Sequence, residues 1–114
     1  MFEIRRYRTS GGREPFSDWL SGLRDRQVQA RILVRLERLE LGNFGDCKSV
    51  GGSVNELRID WGPGYRVYFG RDGQTIIVLL CGGDKRKQAA DIKKAVELWQ
   101  EYGNRKKPVP RAKG

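Results

Sequence analysis

The feature that most constrains this chain is the unbroken apolar run from Ile76 to Cys81. It is far too short to span a bilayer, which needs about 20 apolar residues in a helix. Asp72-Gly73, the commonest hairpin-turn dipeptide, precedes it, and Gly82-Gly83 ends it. A run of this length between turn signals reads as a strand covered on both faces. The remainder of the chain has to supply that cover.

The rest of the sequence is punctuated clearly enough to name the pieces. Phe2 to Tyr7 alternates loosely and reads as a first strand, broken by Thr9-Ser10-Gly11-Gly12. Pro15 opens a helix with Phe16, Trp19, Leu20 and Leu23 on one face, and proline is tolerated in a first turn. Asp25 caps a second helix whose inner stripe is Val28, Ile32, Leu36 and Leu39. Gly42-Asn43 stops it, and the close spacing of the two helices predicts an antiparallel hairpin. Phe44 to Ser53 has no period and reads as loop. Glu56 to Trp61 alternates with period two, Gly62-Pro63-Gly64 turns the chain, and Tyr65 to Phe69 reads as the next strand. After the apolar run, Gln88 to Tyr102 carries Ile92, Ala95, Val96 and Trp99 at helical spacing, and Gly103-Asn104 ends it. The expected order is β-α-α-β-β-β-α. This is an α+β class, a helix hairpin on a small, mostly antiparallel sheet. Residues 1–103 are expected as one domain and 104–114 as a basic, flexible tail.

Composition narrows the chemistry. The chain has 114 residues and no histidine, which excludes a histidine general base and histidine metal ligands. Cys47 and Cys81 are too few for a disulfide scaffold or a cysteine-rich zinc site, so no metal and no cofactor is expected. No secretory signal is visible at the start, and a cytoplasmic location with no membrane partner is the expectation. The net charge of +9 suits a polyanion, although part of it sits in the tail, where Arg105, Lys106, Lys107, Arg111 and Lys113 stand with no acid.

Side-chain direction locates a candidate site. A three-residue loop at Gly62–Gly64 puts Trp61 across from Tyr65, Ile59 across from Val67 and Leu57 across from Phe69 on an apolar face. On the other face, Arg58 is expected opposite Arg66 and Glu56 opposite Tyr68. Two facing arginines repel, and an anion such as phosphate between them relieves the repulsion and fits the guanidinium fork. The other open reading is that both are solvated or neutralised by Glu56 and Asp60. Gly82-Gly83-Asp84-Lys85-Arg86-Lys87 precedes a helix start, a place that also favours anions. Arg26, Arg31, Arg35 and Arg38 on the second helix read as a solvated or partner-facing surface. The three tryptophans read as core, and neither cysteine has the company a nucleophile needs.

Leu41-Gly42-Asn43-Phe44-Gly45-Asp46-Cys47-Lys48, Glu56-Leu57-Arg58-Ile59, Gly62-Pro63-Gly64-Tyr65-Arg66-Val67-Tyr68-Phe69 and Leu79-Leu80-Cys81-Gly82-Gly83-Asp84-Lys85 together resemble the RelE superfamily of toxins. The likeness is to its HigB-like branch of phage-derived addiction-module killer proteins, and it covers roughly residues 2–102. It implies a toxin of a two-gene toxin–antitoxin module, a ribosome-dependent endonuclease that cleaves mRNA in the A site. It also implies a cognate helix-turn-helix antitoxin, and operator DNA bound only through the complex with that antitoxin. By the same resemblance, Arg58 and Arg66 hold the scissile phosphate and the basic position after the last strand is Lys85 or Arg86. The chain departs from the best-studied members at Val54-Asn55-Glu56, where they carry Lys-x-Lys, and at Ala89-Ala90, where they carry a tyrosine. The implied chemistry is metal-free attack of the ribose 2′-OH on its own phosphodiester, with Arg58 and Arg66 stabilising the dianionic transition state. Glu56 is then the candidate base and Lys85 the candidate acid or charge stabiliser, with Lys48 and Tyr68 on flanking RNA. A same-fold toxin that inhibits gyrase, ParE-like, and a plain nucleic-acid-binding module are the alternatives.

Overall fold

In a computed structural model, whose described residues are 1–106, the apolar run forms the first part of β5 (Ile76–Asp84). β1 (Glu3–Arg6) lies parallel to it on one side and β4 (Tyr65–Asp72) antiparallel on the other. β3 (Val54–Ile59) and β2 (Cys47–Gly51) complete a mixed sheet of order β1-β5-β4-β3-β2. Three helices complete the α+β architecture: α1 (Pro15–Gly22), α2 (Arg26–Glu40) and α3 (Gln88–Lys106), the last entered through a 3-10 turn at Lys85–Lys87. Among the described residues, no helix is long and apolar enough to cross a membrane.

Period two along β5 sends its side chains to two covers. Ile77 and Leu79 join Phe16, Leu20, Ile32 and Leu39 from α1 and α2, while Val78 and Leu80 join Tyr68, Ala95 and Leu98 on the α3 side. Each such buried aliphatic side chain contributes roughly 1.5–3 kcal/mol. Asp25 caps α2 as expected, its Oδ1 accepting from the Gln27 amide at 2.9 Å. All three tryptophans pack against these clusters as partly buried residues.

Four expectations change. The sheet has five strands and not four, because residues inside the expected Phe44–Ser53 loop form β2, paired antiparallel to β3 with a register shift between Ser49 and Gly51. β2 is an edge strand whose apolar residues, Cys47 and Val50, lie three apart, so no period of two betrays it. Gly51, Gly52 and Ser53 all adopt positive φ to turn it into β3. Secondly, the β3–β4 connection is Asp60–Gly64, with Trp61 in the turn, and Ile59 faces Tyr65 while Leu57 faces Val67. That is a shift of two from the expected apolar pairs. A shift of two keeps every residue on its face; the expected apolar pairs would have set Arg58 across from Tyr68, and the observed register is the one that places Arg58 opposite Arg66 and Glu56 opposite Tyr68.

Thirdly, β5 continues through Gly82-Gly83 to Asp84. Leu80 is an extra residue in the β4–β5 ladder, since Cys81 pairs with Tyr68 and Leu79 with Phe69. The bulge reverses the phase beyond it. Gly82 therefore meets the α1 side, where a Cβ would lie 2.1 Å from the Trp19 ring, and Gly83 meets Asp91 of α3. These glycines admit close neighbours within a strand. Lastly, α3 passes Gly103 and Asn104 to Lys106. Arg105 donates to the Arg8 carbonyl at 2.6 Å, which holds that last turn in place. The remainder of the expected tail, residues 107–114, lies outside the described residues.

Candidate functional site

Glu56 organises the polar end of the sheet. It points from β3 toward the α3 side and is fully buried. Oε1 accepts from Arg58 Nε at 3.0 Å, and Oε2 accepts from the Tyr68 hydroxyl at 3.0 Å and from Gln88 Nε2 at 2.9 Å. Arg66 Nε lies 3.4 Å from Oε2, an ion pair whose alignment leaves this buried N–H with no hydrogen-bond partner. Burial by itself would raise the Glu56 carboxyl. The hydrogen bonds from Gln88, Arg58 and Tyr68, with the Arg66 charge, outweigh it and hold the pKa below the ordinary value. The two arginines therefore share one carboxylate, which is the local neutralisation that the sequence left open.

The guanidinium ends look out from that anchor. Arg58, Arg66 and Lys85 line one pocket of about 320 Å³, closed by the Gly62-Pro63-Gly64 turn with Asp46 and Asp60 at its rim. Arg66 is the more enclosed, with 11% of its side chain exposed against 35% for Arg58. The turn is tied to the 3-10 segment by the Lys85 amide, which donates to the Gly64 carbonyl at 3.1 Å. Gly64 has φ +86, and Arg66 Nη1 and Lys85 Cβ lie just beyond where its Cβ would be. From behind, Arg35 of α2 donates to the Arg58 carbonyl at 2.5 Å and to that of Phe44 at 3.4 Å. The strand carrying Arg58 is thus braced from both sides.

The other expected residues divide. Tyr68 is fully buried, so its ring offers no face to a base; its hydroxyl serves Glu56, and burial together with that carboxylate raises its pKa. Arg86 turns back on Asp84, donating its amide at 2.9 Å and pairing Nη2 with Oδ2 at 2.8 Å, outside the pocket lining. Lys48 is exposed on β2, directly across from Glu56 and likewise outside the lining. Two contributors escaped the sequence reading. Gln88 is the first residue of α3, and no spacing marks it. Arg35 belongs to a stripe that looked solvated, because its carbonyl partners come from distant segments. Asp91 seats Oδ2 on Gly83, across the ladder from Arg66; that oxygen is buried without a partner, and burial raises the carboxyl. Cys81 is equally enclosed, its thiol pushed up by burial to about 12.

Two arginines held by one buried carboxylate, with Lys85 beside them in a small open pocket, suit a singly or doubly charged oxyanion. The family described as "Phage derived protein Gp49-like (DUF891)" matches residues 18–106. An uncharacterized protein of Haemophilus influenzae is 51% identical over 88 residues, covering 77% of this chain and 89% of its own length. The family match takes in all of β2 to α3, and with them every residue of the pocket and its anchor. The chain belongs to the Gp49-like family of phage-derived proteins.

Proposed function

We propose that this protein is the toxin of a two-gene toxin–antitoxin module and cleaves mRNA on the ribosome. The observation that carries the proposal is the clamp: Arg58 and Arg66, from paired strands, share the buried Glu56 and open with Lys85 on one pocket. The phage-derived family and the RelE-like, HigB-like sequence resemblance support the same reading. In this mechanism the scissile phosphodiester enters the pocket and both guanidiniums donate to its non-bridging oxygens. The 2′-OH gives its proton to water as its oxygen attacks the adjacent phosphorus, and the bond to the 5′-oxygen of the next nucleotide breaks, that oxygen leaving as a hydroxyl with a proton from water, to give a 2′,3′-cyclic phosphate. Negative charge grows on the phosphoryl oxygens, where fixed guanidiniums act without reorganising. Lys85 adds charge where the leaving oxygen develops it.

Glu56 is a positioning residue here and not the base expected from sequence. Its carboxylate is enclosed, saturated with donors and held ionised, so it has neither access to a 2′-OH nor a basicity suited to taking its proton. Alignment of the 2′-OH is left to the ribosomal A site, which supplies positioning that free RNA lacks. A helix-turn-helix antitoxin silences the protein in the cytoplasm and carries the pair to operator DNA.

Isolated ribosomes programmed with a defined mRNA test this. The wild type is expected to cut the bound message and leave naked RNA almost untouched. Arg66→Ala should lower the cleavage rate roughly a hundred- to a thousandfold. Arg66→Lys should recover little, because an ammonium lacks the two-pronged grip. A folded, fully active Arg66→Ala variant overturns the clamp. Growth arrest with intact message and blocked supercoiling would instead mark a gyrase inhibitor.

A further inference from the structure

α2 carries two apolar stripes, and only one is used. Val28, Ile32, Leu36 and Leu39 are buried against the sheet. On the outer side Ala30, Leu33, Val34 and Leu41 fall at i, i+3, i+4 and i+11, again one helical face. Leu33, Val34 and Leu41 are 41%, 43% and 68% exposed; among the described residues, Met1 is the other large apolar side chain that stands out in solvent. Beside this stripe lies an open groove of about 630 Å³ between α2 and the end of β3. Ala30, Val34 and Ile59 contribute its apolar surface, and Arg31, Arg35 and Arg38 its basic flank. Two of those cations are already placed: Arg35 holds the Arg58 carbonyl, and Arg31 stacks 3.5 Å over the Trp61 ring.

We infer that this groove docks an amphipathic helix of a partner protein, with leucine-like residues on one face and carboxylates beside them. The lining runs from Gln27 to Arg38, about 16 Å along a helix, which matches a partner segment of three turns. Charge decides between occupants. A second copy of this chain would set arginine against arginine in a protein of net charge +9. Nucleic acid would lay its phosphates along the apolar floor of Ala30, Val34 and Ile59, where they need cations. An acidic amphipathic helix satisfies both floor and flank. Ile59 and Asp60 line this groove and the arginine pocket alike, so a docked helix ends at the rim of the clamp. Its final carboxylates would lie close enough to Arg58 to compete with a phosphate.

The inference rests on the toxin reading for its probe, the protein encoded beside this chain. Val34→Glu is exposed and should fold normally; it should weaken binding of that protein at least tenfold while cleavage of ribosome-bound mRNA stays unchanged. Val34→Ile should bind as the wild type does. Hydrogen exchange on the complex should protect residues 26–41. Normal binding by a folded Val34→Glu overturns the groove and leaves the toxin reading standing. Absence of any complex with the neighbouring protein overturns the docking face and the antitoxin partnership together, whereas cleavage is read separately. Self-association of the wild type that Val34→Glu abolishes, or protection of 26–41 by a short RNA, also overturns it.

Discussion

At the scale of single residues, the weight falls on Glu56. Removing one member of a buried ion pair leaves the other charge stranded, which typically costs about 3–5 kcal/mol. Glu56→Gln keeps the shape and loses the charge between Arg58 and Arg66, so it should destabilise the fold by about 3 kcal/mol at pH 7 and slow cleavage as well. The sign of the pH dependence follows from the lowered pKa. Folding favours the ionised form, so the contribution is complete above the ordinary value of 4.5 and disappears as pH falls through the lower folded value. Denaturant melts should therefore show a smaller gap between wild type and variant at pH 3 than at pH 7. A gap of the same size at both would mean that the carboxylate charge is not the anchor. Arg58 and Arg66 were expected as a facing pair, with repulsion and neutralisation by Glu56 and Asp60 both left open; the structure decides for neutralisation, by the single carboxylate of Glu56 buried beneath α3.

At the scale of elements, β5 does more than fill the sheet. Its Leu80 bulge sets which side Gly82 and Gly83 face, and so lets α1 and α3 approach the strand on opposite sides. Gly82→Ala would place a methyl 2.1 Å from Trp19 Cε3. Overpacking of this kind costs about 1–3 kcal/mol. Thermal melts should show that loss, and pairing the change with Trp19→Leu should recover part of it, because the two sites touch and cannot be additive. Full additivity would place the strain elsewhere. The glycine pair was visible in the sequence as a stop signal. Its use inside the strand depends on a bulge, which arises between two strands and has no local signature.

For the molecule as a whole, α3 is the member that joins distant parts. At its start Gln88 reaches Glu56 and the clamp; near its end Tyr102 donates to Asp72 at 2.5 Å at the far end of β4, and Lys106 pairs with the same carboxylate. The Tyr102 ring stacks on Trp99 and meets Tyr7 edge-on. Tyr102→Phe keeps those ring contacts and removes one hydrogen bond, a loss of about 1 kcal/mol. Its cleavage rate should stay within about twofold, because the pocket end of the helix is held separately by Gln88. Stability and cleavage measured together on this variant test that independence; a large fall in rate would show that the two ends of α3 act as one.

What the sequence determined by itself is the set of strongly periodic elements and the faces they present. Val28 to Leu39 at helical spacing, Leu57 and Ile59 at strand spacing, and the two-sided run of β5 each repeat an apolar signal that local geometry converts directly into a buried stripe. That Arg58 and Arg66 share one face follows from the same alternation, while their standing opposite one another depends on the register that the turn sets. Tertiary structure decided the rest. β2 exists because β3 offers it hydrogen bonds, Glu56 is buried because Gln88 and Tyr68 arrive from elsewhere, and Arg35 is spent on the carbonyls of Arg58 and Phe44. Periodicity records which side of an element avoids water. It carries no record of which polar atoms, many residues apart, meet there once water has left.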